Sequence, residues 1–309
     1  MFTNVIVPLD GSREATAALP TARALAAAAG ARMSLVRVVH RPAGPFASHA
    51  NEVHEAADYL DRVVRDKLGS AAVPISTQVR SGDVAAEIVR QVEDDARGII
   101  VMATRGHGGV VRAVVGSVAS ELLAQSPVPI VLLRADGRPS PALKTLLVPL
   151  DGSHESATAL SPATALAGAT GAHILLLRVV TPTPARILQE AALYDTGIYV
   201  DSARDSAALV EARNYVTDVA ARVTSQGVPA EGLALLGEVP RTITQTAQGS
   251  TADLIVMRTH ARTGAARAVL GSVADVVVRS SSIPVMLVRG ANAPVLGHES
   301  HQQLSVAQP

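Results

Sequence analysis

Val7-Pro8-Leu9-Asp10-Gly11-Ser12 returns letter for letter as Val148-Pro149-Leu150-Asp151-Gly152-Ser153, an offset of 148 − 7 = 141 positions. Each copy closes a short apolar run and precedes an Ala-rich stretch that ends in glycine, Gly30 in one and Gly171 in the other. Apolar run, polar turn, helix and glycine stop is one strand–helix unit. Two identical turns therefore mark two copies of one module, and differences between the copies bear on function.

Outward from that turn, strand and helix signals alternate. In copy one the spacing predicts strands at Asn4–Leu9, Met33–Val39, Ile75–Arg80, Ile99–Ala103 and Val128–Leu133. Ser12 is read as the cap of the first helix, and Pro20 is expected to kink it. Val53, Ala57, Leu60, Val64 and Leu68 recur at helical spacing; further helices are read at Asp83–Asp95 and Ser117–Ala124. Copy two repeats the series, with Ala208, Ala212, Tyr215, Val219 and Val223 on its second helix. Late equivalents such as Gly116 and Gly271 differ by 155, so copy two holds 155 − 141 = 14 extra residues between Val180 and Ala208. Strands alternating with helices imply parallel sheets with right-handed crossovers. The domains are read as 1–138 and 142–290, with Ala135–Pro141 as linker and 291–309 as a disordered tail.

Composition narrows the classes of function. Lys plus Arg and Asp plus Glu both number 27, so no net charge draws the chain to nucleic acid or to an anionic membrane. Cysteine is absent, which excludes disulfides, thiolate nucleophiles and zinc–thiolate sites. Aromatics are only 2%, so the core is built of small aliphatic side chains, as suits helices lying close on a parallel sheet. The chain enters its first strand without a basic leader, and no apolar run reaches the length of a membrane span, so a soluble, cytoplasmic protein is expected.

Two segments per copy lie beyond the C-terminal ends of strands, the edge at which open α/β sheets bind ligands. Asp10, and Asp151 in copy two, is either a turn residue capping the next helix or a polar contact for a ligand. The second segment is Ala103-Thr104-Arg105-Gly106-His107-Gly108-Gly109, continuing to Gly116-Ser117. Glycines there let backbone amides approach phosphates, and Gly116-Ser117 opens a helix whose free amides favour an anion. Arg105, His107 and Arg112 add positive charge. A plain surface loop is the competing reading, since one glycine cluster is weak evidence.

Together these segments resemble the universal stress protein family in its tandem form, over about Thr3 to Arg289. The resemblance implies an α/β fold of two doubly wound five-stranded parallel sheets, each in the order 3-2-1-4-5, of adenine-nucleotide-hydrolase-like type. The family's nucleotide-binding branch carries Gly, two residues, Gly, nine residues, Gly, then Ser or Thr. Gly106, Gly116 and Ser117 match it, while Ala103 stands at the first glycine position. By this resemblance ATP is the ligand, with Mg2+ as an optional companion. Gly106, Gly116 and Ser117 would hold the phosphates, Asp10 would meet the ribose and base, and Val38 the adenine. Pro8, Leu9, Met102, Ala103, Arg105 and Val118 would complete the site.

Copy two departs from the pattern, with Arg258 and Ala261 at the first and second glycine positions. Arg258 either fills the nucleotide slot or pairs with a phosphate. The favoured reading is that copy two keeps the fold and has lost or weakened ATP binding, which leaves Asp151, Val179, Gly271 and Ser272 as secondary candidates. His260 could face a phosphate only if copy two binds, His298 and His301 lack a third metal ligand, and Ser12 and Ser153 lack a base. Asp83 and Glu238 are read as charges at helix N-termini.

Three classes of function are weighed: a nucleotide-dependent stress or regulatory binder, a slow ATPase or self-phosphorylating enzyme, and an empty scaffold. Ala103–Ser117 contains no Asp or Glu, so at most weak hydrolysis is expected and Mg2+ would rest on Asp10, phosphates and water. The binder is the expectation, with copy one as the competent site. Val128–Leu133 and Ile283–Val288 are apolar edge strands, and an uncovered edge invites pairing. Since family members resemble dimers paired through this strand, an internal pseudo-dimer is expected, with a homodimer of chains as a further option.

Overall fold

The central apolar runs become strands covered on both faces, whereas Ile75–Ser81 and Ala230–Leu236 stay largely half-buried. In the first half of this computed structural model β1 (Asn4–Pro8), α1 (Leu19–Ala29), β2 (Arg32–Val39), α2 (His49–Val63) and β3 (Ile75–Ser81) come first. They lead into α3 (Val84–Glu93), β4 (Gly98–Thr104), α4 (Ser117–Gln125) and β5 (Ile130–Arg134). The second half repeats them as β6 (Thr145–Pro149), α5 (Leu160–Thr170), β7 (His173–Val180), α6 (Ala203–Ser225) and β8 (Ala230–Leu236). It ends with α7 (Val239–Gly249), β9 (Leu254–Thr259), α8 (Ser272–Ser280) and β10 (Val285–Arg289). The structure describes residues 2–40, 49–69, 73–93, 97–104, 116–182, 203–259 and 270–289; most of the copy-two insertion and the tail lie outside them.

Within each half the strands run in parallel, in the order 3-2-1-4-5. Successive residues of β1 serve opposite faces: Val5 and Val7 pack with α1 and α2, whereas Ile6 packs with α3 and α4. Leu146, Leu147 and Val148 of β6 divide in the same way. Burial on both faces is why these strands read as continuous apolar runs rather than as alternating ones.

The halves do not form separate sheets. β5 and β10 pair antiparallel, giving one ten-stranded sheet with β3 and β8 at its outer edges. Val131 faces Met286, its own counterpart in the repeat (131 + 155 = 286), so a local two-fold axis passes through that pair. The two apolar strands thus cover each other's open edge. Arginines reinforce the seam from both sides. Arg289 Nη1 donates to the carbonyls of Ala124 (2.6 Å) and Ser126 (3.2 Å) at the end of α4. Its counterpart Arg134 reaches the Arg279 carbonyl of α8 at 3.5 Å, but is also paired with Asp136 at 2.9 and 2.7 Å.

One local expectation needs correction. Pro20 begins α1 instead of kinking it: Ala15–Ala18 form a separate 3-10 turn, and Pro20 falls in the first helical turn, where no N–H partner is needed. The linker read at Ala135–Pro141 is docked onto both halves. The Ser140 amide donates to the buried Thr21 hydroxyl at 3.2 Å and the Ser140 hydroxyl to the Asp253 carbonyl. Asp253 then accepts the amides of Lys144 (2.8 Å) and Thr145 (3.1 Å), fixing where β6 begins.

Candidate functional site

The repeated Asp-Gly-Ser turn has nearly the same geometry in both halves. Asp10 Oδ1 accepts the Ser12 amide (2.9 Å) and hydroxyl (2.5 Å), and Asp151 Oδ1 accepts those of Ser153 at the same distances. The serine hydroxyls then receive the amides of Ala15 (3.1 Å) and Ser156 (3.0 Å). Ser153 is thereby the N-cap of a short helical turn, His154–Ala157, whereas Ser12 does not cap the first helix as expected: Glu14 stands at the cap of the 3-10 turn and Ala18 at that of α1, because the chain enters α1 through that turn. Gly11 and Gly152 have φ of +89° and +83°, a region that suits glycine. A Cβ at Gly152 would lie 2.8 Å from Arg178 Nη1, and one at Gly11 would collide with Arg37. Those arginines, 141 positions apart, reach across the turn and sit over the rings of Tyr59 (4.8 Å) and Tyr215 (6.0 Å).

In module 1 the turn forms one wall of a cavity of about 260 Å3. Pro8, Leu9 and Asp10 come from the end of β1, Val38 from β2, and Met102 and Ala103 from β4. Gly116, Ser117 and Val118 close it at the N-terminus of α4. Nine of the residues singled out from sequence therefore converge at one sheet edge. The remaining two, Arg105 and Gly106, lie outside the described residues, as do His107 and Arg112. Val84 and Ile88 of α3, together with Val36, add apolar wall that the sequence reading did not assign to the site. Their repeat at Val239, Ile243 and Leu177 was the available signal. Asp83 does cap α3, accepting the Ala86 amide at 2.9 Å, whereas Glu238 makes no such side-chain bond at α7.

Module 2 has a matching cavity of about 290 Å3, which contains Asp151, Val179, Gly271 and Ser272. Arg258 lines it without closing it. Nε and Nη1 of Arg258 are buried and have no hydrogen-bond partner among the described residues, and the same holds for Nη1 of Arg178, which lines the same space. Ala261 and His260 lie outside the described residues.

The electrostatics of the two turns follow from these neighbours. Burial pushes the Asp151 carboxyl up, but bonds from the Ser153 hydroxyl and amide, from Ser156, and the nearby Arg178 charge outweigh it. The group is held below the usual carboxylate range. Burial raises the Tyr59 phenol, with Arg37 opposing and Asp10 adding to the shift. Among the described residues no helix is long and apolar enough to cross a membrane.

Comparison with known proteins agrees with this architecture. The universal stress protein family matches twice, over residues 1–134 and 142–289. A universal stress protein of Mycolicibacterium smegmatis is 28% identical over 305 residues, covering 92% of this chain and 96% of that protein. One from Thermus aquaticus is 33% identical over 140 residues, 43% of this chain and all of that protein. The crystal structure of a universal stress protein from Archaeoglobus fulgidus superposes with a TM-score of 0.68 at 17% identity, covering 93% of this chain and 98% of that one. The repeated turn, the doubled 3-2-1-4-5 order and the two family matches lead to one conclusion: this chain belongs to the universal stress protein family.

Proposed function

We propose that this protein is an ATP-binding member of its family, acting in a stress response as a nucleotide-dependent binding protein, with module 1 as the competent site. The observation that carries the reading is the convergence of Asp10, Val38, Met102, Gly116 and Ser117 on one cavity. Its volume of about 260 Å3 lies just below the range of small-molecule sites, about 300–1,000 Å3. Val36, Val38, Ile88 and Met102 offer an apolar slot for a base. The first amides of α4 and the Ser117 hydroxyl offer donors to phosphate.

Gly116 supports the same reading. Its φ is −64°, a conformation any residue adopts, and a Cβ there would meet nothing within 4 Å among the described residues. Neither strain nor crowding calls for glycine at this position, so close approach of a ligand is the physical reason we assign to it. Among the described lining residues, Mg2+ accompanying the phosphates would find carboxylates only at Asp10 and Glu14. In this reading ATP hydrolysis is at most slow, and the chain works in the cytoplasm, with association into homodimers left to measurement of its mass in solution.

The test is Val38→Trp, which places an indole in the slot. Purified wild-type protein is incubated with ATP, denatured, and assayed for released nucleotide per chain. A loss of roughly tenfold or more in retained ATP is expected for the variant. Equal retention by both proteins would remove module 1 from the proposal.

A further inference from the structure

Away from both cavities, the two outer edges of the ten-stranded sheet differ in a way that points to a partner. We propose that two copies of this chain associate through β8, edge to edge and antiparallel, extending the sheet across a two-fold axis at Leu233. β3 and β8 are counterparts in the repeat, and among the described residues each ends the sheet. β3 reads Ile75-Ser76-Thr77-Gln78-Val79-Arg80-Ser81, with Arg80 tied to Gln91 at 2.8 Å and to Glu87 at 3.5 Å. β8 reads Ala230-Glu231-Gly232-Leu233-Ala234-Leu235-Leu236, with Glu231 its only polar side chain. Polar and charged residues are how an edge resists pairing, and β8 has nearly none.

The register follows from the backbone. The Ile174 amide donates to the Pro229 carbonyl at 2.9 Å, and the Gly237 amide to the Val180 carbonyl at 3.0 Å. Strand bonds alternate along the chain, so Glu231, Leu233 and Leu235 bond towards β7, while the amides and carbonyls of Ala230, Gly232, Ala234 and Leu236 point outward. Among the described residues the Ala230 carbonyl alone of these has a partner, the Thr224 hydroxyl at 3.5 Å. Antiparallel pairing about Leu233 is the register that uses the whole strand. Ala230 then meets the partner's Leu236, and Gly232 meets the partner's Ala234. Glu231 falls opposite the partner's Leu235, so like charges do not face each other.

The layers on either side fit the same axis. Leu233 and Leu235 pack on the α7 side, where an open cavity of about 430 Å3 runs beside β8, lined by Leu175, Glu231, Leu233, Thr246 and Ser250. The partner's Leu233 and Leu235 come against that opening. On the other side α6 sits so low that a Cβ on Gly232 would lie 2.7 Å from the Val216 carbonyl. Across the axis the two α6 helices are two strand spacings apart, about 10 Å, which is packing distance. An edge about 23 Å long and about 25 Å across its three layers covers roughly 600 Å2 per chain, clearing the roughly 1,000 Å2 total of a specific interface. A second copy is the occupant because the edge is complementary to itself, and a closed two-fold stops at a dimer. β5 and β10 already join in this way inside the chain, antiparallel across a local two-fold. The association requires no nucleotide in either module.

The chain has no cysteine, so an introduced thiol reports on one place. Leu233→Cys puts that thiol at the axis, in a non-hydrogen-bonded pair with Cα atoms about 4.5 Å apart, within disulfide reach. Under mild oxidation this full-length variant should crosslink into a covalent dimer, whereas Gln78→Cys, its counterpart on β3, should remain a single chain. In sedimentation without oxidant, wild type should show twice the mass of one chain. Leu233→Lys, which brings two ammonium groups together at the axis, should show the mass of one. A wild type of single-chain mass, or a dimer undiminished in Leu233→Lys, would overturn the proposal. So would crosslinking through Gln78→Cys as strong as through Leu233→Cys. Should Leu233→Lys fail to fold, the two cysteine variants decide alone.

Discussion

The two modules share a turn, a sheet order and a cavity, and differ most sharply at one strand end. Ala103 leaves the end of β4 without charge, whereas Arg258 puts at the end of β9 a guanidinium whose Nε and Nη1 are buried without a partner among the described residues. The Asp-Gly-Ser turns agree to within 0.1 Å in their matched bonds, so the backbone frame is not what separates the sites. A repeated fold thus fixes where a ligand can sit, and the side chains on strand ends fix what kind it is. In this chain the duplication has left one frame with different side chains at the ends of β4 and β9.

The seam offers the strongest test of how alike the halves are. Arg289 spends its donors on two carbonyls of α4, while Arg134 divides its between Asp136 and α8. Arg289→Ala should therefore cost about 1.5–3 kcal/mol in denaturant unfolding, as for charge-assisted bonds. Arg134→Ala should cost less than about 1 kcal/mol, since its partner Asp136 is largely solvent-exposed. Equal losses would mean that the seam is energetically symmetric despite its bonding. The next test writes module 2 into module 1. Ala103→Arg should lower the stability of the ligand-free chain by about 2 kcal/mol if a guanidinium at that strand end is unsatisfied. No loss would show that such a side chain finds partners, and would weaken the reading of Arg258 as unsatisfied. The smallest effect concerns the turn. The Asp151 pKa is depressed on folding, so its contribution to stability is present above the ordinary value of 3.8 and is lost as pH falls below it. The stability difference between wild type and Asp151→Asn should accordingly shrink in acid, by an amount limited by solvent screening of this partly exposed group. A difference that grows with acid would reverse the sign.

Much of this was legible before folding. The repeat located both turns, the αL glycines Gly30 and Gly171 ended the helices as read, and nine candidate residues of module 1 fell on one cavity. Val84 and Ile88 escaped notice because an apolar residue facing a ligand slot has the same helical spacing as one facing the core. Pro20 was misread because the 3-10 turn before it has no distinct periodicity, so the start of the α-helix was placed too early.

What the sequence determined by itself is local or periodic: two modules, their strands and helices, and the residues at strand ends. These follow from side-chain patterning and turn chemistry, which act over a few residues. The antiparallel register by which the expected pairing of the two edge strands makes one sheet, the Arg289 clamp and the docking of Ser140 were decided only by the tertiary structure. So was the answer to whether Arg258 closes its cavity or leaves it open. Each depends on where groups more than a hundred residues apart come to rest, or on how one long side chain packs once its neighbours are in place, and neither leaves a periodic trace in the chain.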